Sequence, residues 1–208
     1  MMETGERQVH WDNVFASKNL EERTWYEPTP GISLDLLKQL SLPKDAAIID
    51  IGGGDSLLVD HLLDLGYRNV SVLDISTKAL EKAQARLQER ARLVQWICSD
   101  VTDFTADQPY DFWHDRAAFH FLTTEEDVHH YAQTAASAIK PGGFLVIGTF
   151  SEQGPQKCSG LEIKQYSEDG LVQVFNNQFK KIQCQQAEHL TPTQAVQQFT
   201  FCTFQKLG

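Results

Sequence analysis

The segment "DIGGGDS", residues 50–56, places an acid near the end of the run "AIIDI" and three consecutive glycines directly after it. Glycines at the end of a strand allow a tight turn and let the backbone approach a ligand closely. The helix expected after them, over "SLLVDHLLDLG", would offer its first backbone N–H groups to an anion. The segment therefore predicts a ligand site, although a glycine-rich turn that binds nothing has the same sequence pattern.

Two further aspartates end the next two apolar runs, and their positions help to select the ligand. Asp74 closes "NVSVLD" 22 residues after Gly52, where a carboxylate can accept hydrogen bonds from both hydroxyls of a ribose. Asp100 follows "LVQWICS" in the same way. A dinucleotide fingerprint needs Gly-x-Gly-x-x-Gly or Ala, and Leu57 fails its third position. An acid at a strand end is often only a helix cap, so the prediction depends on the ordered set of acids.

A third stretch, "FWHDRAAFHF" over residues 112–121, places ionisable groups among aromatic side chains. Burial of His114, Asp115, Arg116 and His120 would cost several kcal/mol unless they are paired or used in function. The stretch ends the fourth apolar run of the chain. Because open α/β sheets bind ligands at the carboxyl ends of their strands, we expect it at the rim of an active site.

Short apolar runs alternate with helical patterns from residue 47 onward, which is typical of a parallel α/β sheet. The runs expected to form strands are "AIIDI", "NVSVLDI", "LVQWI", "YDFWH" and "FLVIGTF". The helical stripes are Leu58, Leu62 and Leu65 in the first helix and Ala79, Leu80, Ala83 and Leu87 in the second. Thr123 and Glu126 predict a capping box for a third helix that reaches about Lys140 and stops at "PGG".

The pattern changes after the fifth strand. Residues 151–165 are polar and predict a loop, "SEDGLVQVF" predicts a short helix, and "FKKIQCQQAEHL" and "QQFTFCTFQK" predict an antiparallel hairpin at the sheet edge. We expect one domain over residues 1–208, made of an N-terminal helical cap (1–40), a cofactor-binding half (47–150), and an acceptor loop with a C-terminal hairpin (151–208).

The pattern Asp50-x-Gly52-x-Gly54, with Asp74, Asp100 and the later Pro-Gly-Gly in order, resembles class I S-adenosylmethionine methyltransferases. Ser56 stands where that family usually has a third glycine. The resemblance implies a Rossmann-like seven-stranded sheet with an antiparallel last strand and helices on both faces. It also implies S-adenosylmethionine as cofactor and S-adenosylhomocysteine as product. The implied cofactor-binding residues are Trp11, Trp25, Asp50, Gly52, Gly53, Gly54, Asp74, Ile75, Asp100 and Val101.

The segment "HDRAAF" is similar to the one after strand four in thiopurine-type methyltransferases and in elongation-factor lysine methyltransferases. The resemblance implies that Arg116 lies close to the cofactor and the acceptor, where it could hold a carboxylate bidentately. His114 or His120 could take the proton of the acceptor, since histidine titrates near neutral pH. These three residues are the catalytic candidates. Structural pairing is the alternative for each, and for Asp115.

Three further stretches, "HDRAAFHFLT", "GPQKCSGL" and "HLTPTQAVQQF", resemble a family of small bacterial class I methyltransferases. The N-terminal "HWDNVFASKNLEERTWYEP" resembles both relatives, in which an aromatic ring of the cap covers the methionine end of the cofactor. An aromatic face attracts a cation by about 0.5–2 kcal/mol. Trp11, Trp25 and Tyr26 are the candidates for that role, and docking of the cap is the alternative for each.

The composition of the chain disfavours several classes of binding partner. The chain of 208 residues carries a net charge of −10, which disfavours nucleic acid because that affinity comes largely from lysine and arginine. It has no apolar run long enough to span a membrane and no signal-peptide pattern at its N-terminus. Its four cysteines lack a CxxC or zinc spacing, so we expect no metal site and reduced thiols in a cytoplasmic protein. We expect a monomer or a weak homodimer.

The most economical hypothesis from the sequence is methyl transfer from S-adenosylmethionine to a small-molecule acceptor. A protein lysine or N-terminal methyltransferase is the first alternative, because the "WDNVF…WYEP" and "DLGYRNVSVLDIS" segments resemble those enzymes. A non-catalytic module that binds S-adenosylmethionine is the second. The alternatives predict different acceptors but the same cofactor site.

Overall fold

The structure is a computed structural model that describes residues 4–17 and 19–208. Its strands are β1 (Ala47–Ile51), β2 (Asn69–Asp74), β3 (Val94–Cys98), β4 (Tyr110–Arg116), β5 (Ile139–Phe150), β6 (Lys157–Cys158), β7 (Leu161–Glu162), β8 (Phe179–Leu190) and β9 (Val196–Lys206). Its α-helices are α1 (Thr4–Ser17), α2 (Gly31–Gln39), α3 (Leu58–Asp64), α4 (Thr77–Leu87), α5 (Glu125–Ala138) and α6 (Glu168–Phe175). Short 3-10 turns cover Leu20–Glu22, Gln88–Leu93 and Phe119–Phe121.

Seven of these strands form one sheet in the order β3-β2-β1-β4-β5-β9-β8. The first five strands of this order run parallel, and β9 pairs antiparallel with both β5 and β8. The predicted seven-stranded Rossmann-like sheet with an antiparallel last strand is therefore confirmed. From β1 the chain first adds strands on one side of the sheet (β2, β3) and then on the other (β4, β5), and such a switch point opens a crevice at the carboxyl ends of the strands.

Both faces of the sheet are buried, which explains why its central strands read as continuous apolar runs. Alternate residues of β1 and β4 enter different cores, with Ile49 and Trp113 on one face and Ile48 and Phe112 on the other. Every residue of β1 is buried. In α4 the predicted stripe of Ala79, Leu80, Ala83 and Leu87 is buried as well, so the helix packs against the sheet as its sequence predicts.

Two sequence-based boundaries need correction around α5. The N-cap is Thr124 and not Thr123, because the Thr124 side chain accepts a hydrogen bond from the backbone of Asp127 at 3.1 Å. The helix ends at Ala138, so the predicted extension to about Lys140 was too long. Residues 141–143, the "PGG" segment, belong to β5, where the register against β4 shifts between Tyr110 and Phe112.

The edge hairpin of β8 and β9 is confirmed, but the expectation of four reduced thiols is wrong for two of them. Cys184 and Cys202 lie directly opposite each other in the hairpin and form a disulfide, with their Cα atoms 4.1 Å apart. Cys98 and Cys158 are free thiols. The sequence spacing of the bonded pair carries no motif, since the pair is created by the hairpin register.

The N-terminal helices lie over the carboxyl edge of the sheet. Asp12 of α1 accepts hydrogen bonds from the Ser76 hydroxyl at 2.6 Å and from the backbone of Lys78 at 3.1 Å, at the start of α4. Residues 1–3 and 18 of the predicted cap lie outside the described residues. Among the described helices, none is both long enough and apolar enough to cross a bilayer.

Candidate active site

A crevice opens at the carboxyl ends of the central strands and is roofed by α1 and the segment that precedes α2. All predicted cofactor-binding residues except Gly54 line it, and so do the catalytic candidates His114 and Arg116. His120 is fully buried beside the crevice, where its ring stacks on the wall residue Phe150 at a centroid distance of 4.6 Å. The structure thus brings together in one place residues that the sequence separates by more than a hundred positions.

The glycine turn after β1 leaves no room for side chains. Gly52 and Gly54 have positive φ angles of 62° and 50°, a conformation that favours glycine. A Cβ atom on Gly52 would lie 2.5 Å from the Cβ atom of Ala118, and one on Gly53 would lie 2.6 Å from a carboxylate oxygen of Asp50. The turn therefore exposes bare backbone to the crevice, as a cradle for a ligand requires.

Replacement of Gly52 by alanine is expected to lower the free energy of unfolding by about 2–4 kcal/mol, because it combines an unfavourable φ with overpacking. Gly66 is the matched control, since its φ is 86° but no atom lies within 4 Å of its added Cβ. Gly66→Ala should cost only about 1 kcal/mol. Urea denaturation of both variants measures the difference, and equal losses would show that the contact with Ala118 adds no strain.

Asp74 is a buried carboxylate with few donors. Burial raises its pKa to about 7, against the lowering effect of a 2.7 Å hydrogen bond from the backbone of Ser76. The charges of Asp55 and Asp50 raise the pKa further. A carboxylate in this position has spare acceptor capacity, and the hydroxyls of a ribose would satisfy it.

Asp100, at the end of β3, has one oxygen satisfied by Thr102 and one directed to α1. The first oxygen accepts hydrogen bonds from the Thr102 backbone at 3.0 Å and from its hydroxyl at 2.8 Å. The second lies 3.3 Å from the guanidinium of Arg7, although it takes no hydrogen bond. The backbone of Val101 lines the crevice beside it. Nothing in the sequence indicated that Arg7 would lie beside Asp100.

The aspartate of the glycine turn, Asp55, forms a buried ion pair with Arg23. Their side chains are 2% and 1% exposed, so the pair is removed from water. The guanidinium of Arg23 also lies over the ring of Phe15 at 4.5 Å and donates to the carbonyl of Phe15 at 3.0 Å. Sequence analysis missed this pair because nothing in the cap identifies which arginine reaches the turn.

Trp11 and Trp25 both line the crevice and also dock the cap. The two ring centroids are 6.4 Å apart, and Trp11 meets Phe121 edge-on at 4.8 Å. Phe15 contacts both tryptophans. The proposed contact with the cofactor and the packing role are therefore compatible in one aromatic cluster, which covers the glycine turn from the side of the cap.

His114 is hydrogen-bonded at both ring nitrogens. Its Nδ1 lies 2.7 Å from a carboxylate oxygen of Asp50, and its Nε2 lies 2.8 Å from the hydroxyl of Ser33 in α2. Asp115, the next residue, holds the turn after β4, because it accepts hydrogen bonds from the backbones of Ala118 and Phe119 and from a tyrosine hydroxyl. Burial raises the pKa of Asp115 to about 6, despite these donors.

Arg116 holds the loop before α2. Its guanidinium donates to the carbonyl of Trp25 at 3.1 Å and pairs with Glu27 at 3.1 Å. The Nδ1 atom of His189, in β8, lies 3.1 Å from the same oxygen of Glu27, and its Nε2 lies 2.6 Å from the carbonyl of Thr24. Burial favours protonation of Glu27, but the His189 hydrogen bond and the Arg116 charge hold its pKa below the usual value.

His120 is poorly suited to proton transfer near neutral pH. Burial and the charge of Arg116 lower its pKa to about 3. Its Nδ1 accepts a hydrogen bond from the backbone of Phe150 at 3.3 Å, and its Nε2 has no partner. A side chain that stays neutral and faces the core favours a packing role over a catalytic one for this residue.

The strand order and the glycine turn define a Rossmann-like sheet with a nucleoside-type cofactor site. The residues present fit S-adenosylmethionine, whose net charge is positive, because the crevice combines a side-chain-free turn with the carboxylates of Asp50, Asp74 and Asp100. Within the described part of the chain, no group of three or more His, Cys, Asp or Glu side chains is arranged to hold a metal.

Comparison with known proteins agrees with this assignment. Residues 48–143 match the family model described as a methyltransferase domain. The chain is 27% identical over 165 residues to the ribosomal protein L11 methyltransferase of Shewanella baltica, across 77% of this chain and 52% of that protein. It is 28% identical over 116 residues to the EEF1A lysine methyltransferase 2 of Danio rerio, across 51% of this chain and 49% of that protein. The chain thus spans about half the length of these curated relatives.

Solved structures share the whole fold. The Burkholderia thailandensis 1,6-didemethyltoxoflavin-N1-methyltransferase, solved with bound 1,6-didemethyltoxoflavin and S-adenosylhomocysteine, superposes with a TM-score of 0.77 at 17% identity, across 100% of this chain and 92% of that chain. On its strand order and its glycine turn, this chain has the fold of the class I S-adenosylmethionine-dependent methyltransferases, and its residues 48–143 match a methyltransferase domain.

Proposed function

We propose that this chain transfers the methyl group of S-adenosylmethionine to a small-molecule acceptor. The observation that carries the proposal is that His114 and Arg116 lie inside the crevice, under a roof formed by Trp25, Tyr26 and Glu27. His114 is only 3% exposed. A site closed in this way suits an acceptor that enters whole, and its remaining wall is largely apolar, as small-molecule pockets are.

The cofactor supplies an electrophilic methyl group, and the protein contributes alignment. In this proposal Asp74 accepts hydrogen bonds from the ribose hydroxyls, and the glycine turn lets the backbone approach the cofactor closely. The aromatic cluster of Trp11 and Trp25 excludes water from the site. Positioning of the reacting groups can provide as much as about 7–11 kcal/mol of the barrier reduction.

A protein acceptor is the second candidate, and a specific observation favours it. The curated relatives that this chain matches act, by name, on ribosomal protein L11 and on the elongation factor EEF1A. Against it, those relatives are about twice as long as the matched region, so their acceptor specificity need not reside there. The Burkholderia enzyme of similar fold acts, by name, on a small heterocycle, which is consistent with the first candidate.

The test is transfer of a labelled methyl group from S-adenosylmethionine into a size-fractionated bacterial extract. Label in the low-mass fraction supports a small-molecule acceptor, whereas label on a protein band replaces it with the second candidate. Tight binding of S-adenosylhomocysteine without any transfer would identify a non-catalytic module. Stronger binding of NADH than of S-adenosylhomocysteine would contradict the cofactor assignment.

Arg116→Ala is expected to lower the transfer rate at least about 10-fold while the affinity for S-adenosylhomocysteine changes much less. The reason is that Arg116 orients the roof through Glu27 and Trp25, on the acceptor side of the crevice. Arg92→Ala is the matched control, since Arg92 is 77% exposed. Rate and affinity are measured by label transfer and calorimetry, and unchanged values for both would make Arg116 purely structural.

A further inference from the structure

Three residues from three different elements form a continuous hydrogen-bonded chain inside the crevice. Asp50 is the fourth residue of β1, His114 is the fifth residue of β4, and Ser33 is the third residue of α2. The distances are 2.7 Å from Asp50 Oδ1 to His114 Nδ1 and 2.8 Å from His114 Nε2 to Ser33 Oγ. All three side chains are nearly inaccessible, at 3%, 3% and 2% exposure, yet all three border the crevice.

The direction of these hydrogen bonds follows from donor chemistry. An ionised carboxylate only accepts, so Nδ1 of His114 carries a hydrogen and donates it to Asp50. In the neutral ring the other nitrogen, Nε2, then has a free lone pair. The hydroxyl of Ser33 donates to that lone pair, which leaves the oxygen of Ser33 able to accept a hydrogen bond from a molecule in the crevice. The oxygen of Ser33, which can accept a proton, is therefore the end of this hydrogen-bonded series that faces the acceptor.

We propose that Ser33, His114 and Asp50 form a proton relay that removes the proton of the methyl acceptor. This inference rests on the proposed function and adds to it a class of acceptor, namely a neutral group that loses a hydrogen from the atom that is methylated. A hydroxyl, a thiol or the N–H of a heterocycle belongs to this class. A tertiary amine or a thioether has no such hydrogen and would not need the relay.

The bonds and charges balance. The X–H bond of the acceptor breaks, and its electron pair forms the new bond from X to the methyl carbon. The carbon–sulfur bond breaks with its electron pair on sulfur, so the positive charge of the sulfonium is lost. The acceptor proton passes to the oxygen of Ser33 as the serine hydrogen passes to His114 Nε2. The imidazolium that results is stabilised by Asp50 and later releases the proton to water.

Several charged groups surround the imidazole. Asp50 contacts it from β1, Asp115 of β4 and Glu27 of the loop before α2 interact with it through their charges, and Arg116 lies two residues beyond it in β4. Three of these four groups are acidic, so a positive charge formed on the ring is compensated. Arg116 is the exception, and it is paired with Glu27 at 3.1 Å. This arrangement favours a ring that gains and loses a proton within the catalytic cycle.

The tautomer is tested first, on the full chain without any acceptor. Histidine-selective 15N NMR with the His114→Gln variant identifies the ring among the seven histidines. We expect a protonated Nδ1 and an unprotonated Nε2 at pH 8. A protonated Nε2 with a bare Nδ1 would overturn the relay, and so would a ring that stays an imidazolium from pH 6 to pH 9, because neither can accept the proton.

The second test uses the labelled-methyl assay with the low-mass extract fraction as the acceptor source. Ser33→Ala and His114→Gln should each lower the initial rate about 100-fold at saturating S-adenosylmethionine, the range for a lost general base. Their affinity for S-adenosylhomocysteine should stay within about 3-fold of that of the unmodified protein. His129→Gln, an exposed change in α5, is the matched control.

The outcomes separate this inference from the proposed function. If the unmodified protein transfers label and both variants transfer it at the same rate, the relay is wrong and the methyltransferase assignment stands. If the unmodified protein transfers no label to any fraction, the proposed function fails and the relay falls with it. Ser33→Thr retains a hydroxyl, so recovery of rate in that variant supports proton transfer over packing as the role of Ser33.

Discussion

Replacement of Asp74 by asparagine is expected to weaken the binding of S-adenosylhomocysteine about 10- to 100-fold and to stabilise the ligand-free protein above neutral pH. Binding weakens because an amide has one oxygen to accept with, whereas the carboxylate can accept both ribose hydroxyls. Stability rises because asparagine removes a buried charge that is stabilised by backbone hydrogen bonds from Ser76 and Gly54 but is repelled by Asp55 and Asp50. A purely structural aspartate would lose stability instead.

The raised pKa of Asp74 determines how the free energy of unfolding changes with pH. Burial raises the pKa of Asp74 to about 7 in the folded protein, against about 3.9 for an aspartate in the unfolded chain, so the folded protein binds more protons between these values. Stability therefore falls as the pH rises from about 4 to about 7, and the loss is complete above 7. The advantage of Asp74→Asn should grow over the same window and reach about 1–4 kcal/mol at pH 8.

Calorimetry with S-adenosylhomocysteine and urea denaturation at pH 5, 6.5 and 8 measure the two effects. Asp45→Asn is the matched control, because Asp45 is exposed in the loop before β1 and should change neither quantity. Affinity for S-adenosylhomocysteine should also rise with pH through about 7 in the unmodified protein and lose that dependence in Asp74→Asn. Unchanged affinity in the variant would contradict the ribose assignment.

The sheet and the cofactor edge could be predicted from the sequence because each depends on local patterns. Strands such as "AIIDI" are largely apolar and buried throughout, since both faces of the sheet are covered, and the acids lie at or just after their carboxyl ends. The carboxyl ends of parallel strands meet at one edge, so Asp50, Asp74 and Asp100 had to converge once the fold was recognised. Their convergence therefore needed no knowledge of long-range contacts.

The contacts between the cap and the sheet could not be predicted in the same way. Ser33 lies in the amphipathic segment "ISLDLLKQL", where a small polar residue carries no sign that it will face a histidine 81 positions away. Glu27 meets His189 across 162 positions, through two separate elements. Local periodicity reports which face of an element is buried, but not which buried polar groups will meet.

The disulfide between Cys184 and Cys202 could not be predicted from the sequence either. Cys184 and Cys202 are opposed only because the hairpin pairs in one register, with an irregularity between Lys181 and Gln183. Since side chains alternate along a strand, a shift of one residue would turn one thiol to the other face. The hairpin was predictable from its alternation, whereas its register was not.

The buried ion pair of Arg23 and Asp55 is where the cap and the cofactor turn depend on each other most directly. Arg23→Met would leave the carboxylate of Asp55 buried beside Asp50 and Asp74 without its cation. Removal of one partner from a buried pair costs about 3–5 kcal/mol. At about 2–4 °C per kcal/mol for a chain of this size, the melting temperature should fall by about 6–20 °C.

A double variant separates the lost pair from the lost packing of Arg23 against Phe15. Asp55→Asn in the Arg23→Met background removes the stranded charge, so it should recover part of the lost stability, whereas Asp55→Asn alone should destabilise the protein. Arg92→Met, which breaks an ion pair with side chains 77% and 91% exposed, is the control and should barely shift the melting temperature. Differential scanning calorimetry of the four variants and the unmodified protein gives the coupling free energy between Arg23 and Asp55. If Arg23→Met and Arg92→Met have the same melting temperature, the Arg23–Asp55 pair does not anchor the cap. The position of the cap over the cofactor site would then depend on the contacts of Arg116 and His189 with Glu27.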